Sequence, residues 1–386
     1  MSPPMPSRYH ALDSLRATMM FLGIVLHAMG AYSPTTPWLI RPLEMTKFFE
    51  PAILFIHAFR MPVFYAMAGF LTALLLERYG WRRAIANRFW RIAVPFVIGC
   101  LLLVPLMYFL AAFAKTGTGE GAWLFIISRR FLSMAHPIHL WFLEYLLLLY
   151  AVAAVLVALI SLAPEKVRGA GLALFRGGLE AVWAPLPMAG LTFLTLLPMA
   201  WPGLQDPPSF APAPHILFAY AVPFFFGWLL YHARDLLEVL NRRAWFYGLL
   251  GLALCVAYVV LIYSIPLGDV RFYVLRAVLA LAMWCLIFGI TGLFLRYFSG
   301  HSALWRYLCD SSYFIYLAPL PMILLLQLVT FNVPLPSVIM VPIVLIVTTI
   351  VLLPIYAYAV RPTFVGALLN GRRYPPAIRL VAVAAT

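Results

Sequence analysis

Ionisable side chains at helical spacing lie within the first apolar stretch of the chain. Asp13, Arg16 and His27 fall inside residues 12–33, a stretch long enough to cross a membrane. Eleven residues at about 100° each make three turns plus about 20°, so Arg16 and His27 share a helix face about 16 Å apart along the axis. Because a charge inside a bilayer is costly, all three residues are candidates for function. The simpler interpretations are an ion pair at the helix start and a histidine held by a packing hydrogen bond.

The second apolar stretch, residues 49–78, carries a basic pair. His57 and Arg60 are three residues apart, which makes them neighbours on one helix face. Pro62 removes a backbone hydrogen bond, so we expect the helix to kink there. The simplest role for Arg60 is that of a structural counter-ion. The functional interpretation is a cation at the depth of His27, with His57 as a candidate substrate-binding residue.

A third group opens the stretch 139–161. His139, Trp141 and Glu144 lie close together near its start. Tryptophan at a membrane interface usually anchors a helix among lipid headgroups, but an aromatic face beside a histidine and a carboxylate also suits a sugar. We therefore treat the three residues as candidate substrate-binding groups, and we expect Glu144 to pair with Arg60 or a histidine.

Arginines are concentrated just after the second stretch. Arg82, Arg83, Arg88 and Arg91 follow one another within ten residues. One interpretation is a basic loop that sets the topology of the protein. The other is a site for the phosphates of an anionic cofactor, for which Arg88 and Arg91 are the candidates.

The composition indicates what kind of fold positions these groups. Of 386 residues, 65% are hydrophobic and only 10% are charged, against about 25% charged residues in soluble domains. This excludes a soluble globular domain, a disordered chain and a nucleic-acid-binding module, despite a formal net charge of +14. A spanning helix needs about 20 apolar residues. The sequence predicts an all-α polytopic membrane protein, a single bundle of about ten transmembrane helices near residues 12–33, 49–78, 92–114, 139–161, 181–200, 213–232, 244–266, 272–296, 304–330 and 334–360.

The distribution of lysine and arginine predicts the orientation. With a cytoplasmic N-terminus, six of the 27 lysines and arginines lie outside and three lie in or at the edges of spans, which leaves 18 inside. Both termini are therefore predicted to be cytoplasmic, as tails 1–11 and 361–386 of a single integral-membrane domain, 1–386. The segment 121–135 is expected to lie along the outer interface. The six outer cations are Arg41, Lys47, Lys115, Arg129, Arg130 and Arg271.

This orientation separates the candidate residues into two groups. Cations in the inner half suit an anionic donor, and a histidine base in the outer half suits an acceptor on that side. No metal-ligand motif, Ser-His-Asp spacing or phosphate-binding glycine loop occurs, so we expect no metal. The inner group is Arg16, Arg88 and Arg91, and the outer group is His27, His57, Arg60, His139 and Glu144.

Several of these segments resemble the membrane-bound acyltransferase-3 superfamily. Its first span carries an arginine, ten residues and then a histidine, and Arg16 and His27 match this pattern. The details LDSLR, AYS and IHAFRMPVF are most similar to the branch that succinylates osmoregulated periplasmic glucans. The further matches, in order, are RRAIANRFWRIAVPF, HLWFL and SSYFIYL.

The resemblance implies a bacterial inner-membrane O-acyltransferase. It implies transfer from acyl-CoA, with succinyl-CoA favoured and acetyl possible, to a hydroxyl of a periplasmic glucan or another envelope polysaccharide. His27 is then the candidate general base and Arg16 serves the donor, with Asp13 pairing with or orienting Arg16 and Arg60 stabilising the oxyanion. The family often has a histidine soon after the Tyr-Leu of the ninth span. Here Tyr316-Leu317 is followed by Ala-Pro-Leu-Pro. The role of that histidine is therefore either absent or supplied by another group, for which His57 and His139 are the candidates.

Two other functions remain open on the sequence. A transporter or flippase for a sugar-containing or small anionic substrate would use the same intramembrane cations for binding or proton relay. A signalling or scaffold protein that has lost catalysis is the third possibility. Labelled acyl-CoA distinguishes them, because only the enzyme turns it over.

Overall fold

The computed structural model describes residues 9–128, 136–264 and 269–375. Within these ranges the chain is helical and contains no strand, which confirms the all-α membrane class. The predicted outer cations Arg129 and Arg130, and Arg379 of the C-terminal tail, lie outside the described residues. The helices are α1 (His10–Gly30), α2 (Glu50–Arg88), α3 (Val94–Thr116), α4 (Gly119–Ile127), α5 (Trp141–Ser161), α6 (Glu165–Glu180), α7 (Pro185–Leu196), α8 (Pro214–His232), α9 (Leu237–Arg242), α10 (Ala244–Ser264), α11 (Asp269–Tyr297), α12 (Ala303–Leu317), α13 (Pro319–Val329), α14 (Ser337–Pro354) and α15 (Phe364–Asn370).

By length and composition, seven helices of the described residues can cross a membrane, or up to nine if each of two bent pairs counts as one span. One of the seven is the helical stretch Glu50–Thr116, which has 67 residues and joins α2 to α3. A single crossing needs about 20 residues, so this helix is long enough to cross twice. The number of ten spans and the side of each terminus stay predictions.

The basic segment after the predicted span 49–78 is helical and not a loop, and most of it belongs to α2. α2 breaks at Gly80, whose φ of 69° and ψ of 173° are not helical. Only glycine adopts such a conformation at little cost. Helical structure resumes at once and continues through a π-helical turn, Phe89–Ala93, into α3. The turn places Arg88 and Arg91 at the junction of two long helices, which gives them fixed positions.

Two predicted spans are broken. The predicted span 181–200 contains only α7, which meets α6 at an angle of 108°. The predicted span 304–330 bends by 61° between α12 and α13, where Pro319 begins the second helix. Proline lacks the backbone N–H that continues a helix. The second break exposes backbone carbonyls inside the bundle, beside the residues discussed below.

Close contact between α2 and α8 holds the centre of the bundle together. A Cβ on Gly69 would lie 1.8 Å from the Phe224 carbonyl oxygen, and one on Gly227 would lie 1.8 Å from that of Ala66. Small residues let membrane helices approach to backbone contact. The approach also stacks the Tyr65 ring on a tyrosine of α8 at 4.7 Å between ring centroids.

We expect Gly69→Ala to destabilise the protein, because the added methyl group collides with backbone that only a shift of α8 can move. Overpacking of this kind costs about 1–3 kcal/mol or more. Thermal unfolding in detergent measures the loss as a lower Tm. Gly190→Ala is the matched control, since a Cβ on Gly190 of α7 has no atom within 4 Å. Equal Tm values for the two variants would contradict the close contact.

Candidate active site

A basic cavity of about 390 Å³ opens beside the first residues of α1. The end of the cavity that lies farthest along α1 is apolar and includes Met20 and Phe64. The structure thus brings together the three residues predicted to hold an anionic donor, Arg16, Arg88 and Arg91. It adds two arginines from the C-terminal part of the chain, Arg306 and Arg372. The charged residues that line the cavity are Asp13, Arg16, Arg88, Arg91, Arg306, Asp310 and Arg372.

Arg16 is held between two elements. Its Nη2 lies 2.7 Å from the Cys309 Sγ of α12 and 3.8 Å from the Asp13 Oδ1 one turn earlier. The Asp13–Arg16 pair predicted from the sequence is therefore present, and Cys309 also lies 3.5 Å from the Asp13 carboxylate. These contacts use one edge of the guanidinium group. They fix its position in the wall of the cavity.

Arg88 and Arg91 are each anchored in the lining of the same cavity. Arg88 donates from Nη2 to Thr72 Oγ1 at 2.9 Å, and its guanidinium lies 4.9 Å from the centre of the Tyr150 ring. Arg91 donates from Nη2 to the carbonyl oxygen of Leu369 in α15 at 3.1 Å. Neither arginine has a carboxylate partner among the described residues. The cavity therefore carries a formal excess of three positive charges, from five arginines and two aspartates.

His27 lies outside this cavity, seven residues beyond its apolar end and about 10 Å farther along α1. Its ring lies 6.2 Å from that of Trp38 and 6.5 Å from that of His139, measured between centroids. Arg60 crosses the gap between α1 and α2, with Nη1 2.7 Å from the position of a Cβ on Gly23. Glycine at that position leaves the space that the guanidinium occupies. The structure thus brings His27, Arg60 and His139 together, as the sequence predicted.

The break in the ninth predicted span fixes His139. In a continuous helix the carbonyl of Leu317 would accept from the N–H of residue 321, but Pro321 has none. His139 Nε2 lies 3.2 Å from this oxygen and takes its place. The Tyr316 hydroxyl in turn donates to the His139 carbonyl oxygen at 2.6 Å. A histidine from the 3₁₀ turn Ile138–Leu140, which precedes α5, therefore reaches the break between α12 and α13.

Trp141 does not present a free aromatic face. It is 5% exposed, and its ring packs on Tyr220 at 5.3 Å and Tyr145 at 5.9 Å between centroids. Tyr145 lies on α5 itself, whereas Tyr220 comes from α8, whose packing against α5 the sequence alone could not predict. Trp141 can affect a bound sugar only through these neighbours.

Glu144 does not pair with Arg60 or a histidine in the described part of the chain, so this expectation was wrong. Its Oε2 is buried without a hydrogen-bond partner among those residues. Glu144 lies five residues after His139, which places it about 140° away around a helix. The two side chains therefore point in different directions from the start of α5.

An acidic residue that the sequence analysis missed lies beside His57. Asp206, from the loop between α7 and α8, has Oδ1 3.9 Å from His57 Nε2. It also acts on His136, which precedes α5. Burial lowers the pKa of His136, and the nearby Asp206 carboxylate opposes this shift. His57 therefore has an acidic partner where the sequence suggested only basic neighbours.

The other missed residues lie in loops or far along the chain. Trp38 donates from Nε1 to Gln327 Oε1 at 2.7 Å, which holds the loop after α1 over His27. Arg306 and Arg372 also line the basic cavity, although α13 and α14 separate them along the chain. The only sequence signal that could have identified Trp38 is its residue type, a large aromatic side chain in the segment between α1 and α2. In the described ranges, no group of three or more histidine, cysteine, aspartate or glutamate side chains could hold a metal ion.

Comparison with known families gives a match over residues 9–357 to a model described as an acyltransferase domain, that of acyltransferase-3. The chain therefore belongs to the acyltransferase-3 family, and it is a multi-pass membrane protein. The resemblance read from the motifs is confirmed.

Similar curated proteins carry the name glucans biosynthesis protein C. They include those of Salmonella paratyphi B, Salmonella heidelberg and Salmonella schwarzengrund, each 32% identical over 154 residues. The match covers 39% of this chain and 39% of each relative. The chain thus aligns with well under half the length of these proteins. No solved structure matches.

Proposed function

We propose that the protein transfers an acyl group from cytoplasmic acyl-CoA to a hydroxyl of a periplasmic glucan or another envelope carbohydrate, in the bacterial inner membrane. Succinyl is the favoured group and acetyl the alternative. The observation that carries the proposal is the arrangement along α1. A cavity lined by more arginines than carboxylates lies at its start, and His27 lies beside Arg60 and His139 farther on. The names of the Salmonella relatives support the choice of a glucan as acceptor.

On the donor side, the basic cavity supplies the charge that an acyl-CoA requires. Arg16, Arg88 and Arg91 present guanidinium groups, which bind phosphate oxygens by charge-assisted hydrogen bonds. Asp13 and Cys309 hold Arg16 in place. Since the nucleotide stays in this cavity, its charges never enter the membrane centre, where burial would be costly. The uncharged pantetheine arm extends toward His27 and carries the acyl group, which in the case of succinyl bears one carboxylate.

At the reacting centre, neutral His27 accepts the proton of the acceptor hydroxyl as its oxygen attacks the thioester carbonyl. The ester C–O bond forms, the C–S bond breaks, and the proton returns from His27 to the departing thiolate. Arg60 lies between the cavity and His27, where its charge would stabilise the oxyanion. His139, fixed on the Leu317 carbonyl, takes the place of the histidine that family members often carry in the ninth span.

On the acceptor side, we assign His57 together with Asp206 to binding of carbohydrate hydroxyls. A histidine and a carboxylate 3.9 Å apart offer both donors and acceptors. Trp141 and Glu144 keep their predicted acceptor-side role, with Trp141 acting through Tyr220, against which it packs.

The experiment that tests this function uses the purified protein in vesicles of known orientation. Labelled acyl-CoA and a soluble glucan are supplied on the same side or on opposite sides. We expect labelled glucan only when the donor faces the side of the basic cavity and the acceptor faces the other. Reaction from a single side would contradict the transmembrane route. Binding of acyl-CoA without turnover would favour the transporter. In that case a labelled sugar-containing or small anionic substrate would cross the membrane unmodified.

A further inference from the structure

The C-terminal strap, residues 364–375, lies beyond the family match that ends at residue 357. It consists of α15 and the turn that follows. Despite this position, it forms part of the basic cavity, to which it contributes Leu369, Asn370, Arg372 and Tyr374. The predicted C-terminal tail is thus folded against the bundle over these residues.

A glycine turn directs the strap across the cavity. α15 ends at Asn370, and the following Gly371, with a φ of 79°, caps the helix in the left-handed conformation. The carbonyl of Leu369 accepts from Arg91 at 3.1 Å. Asn370 donates from Nδ2 to the Tyr356 hydroxyl at 3.0 Å. These bonds fix both the end of α15 and the start of the following turn.

Tyr374 is held by cations on several sides. Arg306 donates from Nη2 to its hydroxyl at 2.9 Å, and the hydroxyl lies 3.4 Å from Asp310 Oδ1. The guanidinium groups of Arg372 and Arg361 lie 4.5 and 5.1 Å from the centre of its ring. Such contacts are attractive because the ring face is electron-rich. They orient Arg372 without using its hydrogen-bond donors.

Arg306 and Arg372, the two cavity-lining arginines that contact Tyr374, differ in their charge balance. Arg306 is paired with Asp310, whose Oδ2 lies 3.3 Å from its Nε. Arg372 has no carboxylate partner among the described residues, and it is exposed at the mouth of the cavity. Its planar fork is therefore free to bind an oxyanion in two hydrogen bonds.

We propose that the strap completes the donor site and that Arg372 binds the phosphomonoester at the nucleotide end of a coenzyme A thioester. This inference rests on the proposed function. The acyl end of an elongated donor must point past Met20 toward His27, so its other end lies at the mouth, where Arg372 is. Specificity for phosphorylated donors is then set by residues outside the matched domain.

The test compares acyl-CoA with acyl-3′-dephospho-CoA on the full-length protein. We expect the wild type to bind the phosphorylated donor about tenfold more tightly, the scale of one charge-assisted contact near solvent. Arg372→Gln should lose this preference and leave the affinity for the dephosphorylated donor unchanged. Arg372→Lys, which keeps the charge without the fork, should retain part of the preference. Arg373→Gln is the matched control, because Arg373 is the exposed neighbour that does not line the cavity.

The outcomes separate the inference from the proposed function. Adenosine 3′,5′-bisphosphate serves as a probe of binding that needs no acyl transfer. If Arg372→Gln keeps the wild-type preference, or if it binds both donors more tightly because the strap competes with them, the inference is wrong while the acyltransferase stands. If the wild type binds neither acyl-CoA nor the bisphosphate, the proposed donor site fails with it. Tm values of the variants show that each is folded.

Discussion

Replacement of His27 by glutamine is expected to lower acyl transfer about 10²–10⁴-fold, the usual contribution of a general base. Glutamine keeps hydrogen-bonding capacity and nearly the volume of the ring, but it cannot accept a proton at neutral pH. The ring of His27 lies among Trp38, His139 and Arg60, so the variant should still fold. Transfer of labelled acyl groups to glucan measures the loss, and Tm in detergent measures the folding.

The matched control is His215→Gln, since His215 is another histidine of the bundle, at the start of α8. It should leave transfer unchanged. An active His27→Gln enzyme would make His27 a structural residue and direct attention to His57 or His139. A parallel loss of activity and Tm would show that His27 serves packing.

Loss of the Arg16 charge is expected to weaken use of the donor. Hydrogen bonds to charged groups contribute about 1.5–3 kcal/mol, which corresponds to about a 10- to 100-fold rise of KM for acyl-CoA in Arg16→Gln. The KM for the acceptor should stay the same, because Arg16 and His27 lie about 16 Å apart. Arg16→Lys should recover only part of the loss, since lysine has the charge without the fork.

Arg82→Gln is the control for this variant, because Arg82 is exposed on the same basic segment and does not line the cavity. If Arg16 serves only to neutralise Asp13, Arg16→Gln would lower Tm and leave both KM values as they are. Asp13→Asn would then restore the Tm of Arg16→Gln. That result would remove Arg16 from the donor site.

Periodicity along single helices was sufficient to predict the two ends of the candidate site. Arg16 and His27 keep the separation that helix geometry dictates, and the basic segment delivers Arg88 and Arg91 to the cavity. These spacings are kept because the two members of each pair are close in sequence on one uninterrupted helical stretch. Hydropathy likewise predicted the membrane class, since apolar length alone decides it.

Contacts between distant elements could not be predicted in the same way. Asp206 and Trp38 lie in connecting segments, whose paths hydropathy does not determine. The expected partner of Glu144 was wrong because the rotation of α5 against α2 depends on packing. Arg372 was counted only as a topology signal, since nothing in its local sequence shows that a glycine turn carries it to the cavity.

Pro321, four residues after Leu317, also determines where the proton of His139 resides. A backbone carbonyl can only accept a hydrogen bond, so Nε2, 3.2 Å from the Leu317 oxygen, must be the protonated nitrogen of the neutral ring. Nδ1 is then the basic atom, and it is buried without a partner among the described residues. The missing N–H of Pro321 thus selects one tautomer of a histidine on another helix. The ring beside His27 therefore has a lone pair available on a defined atom, and its other nitrogen is committed to the backbone.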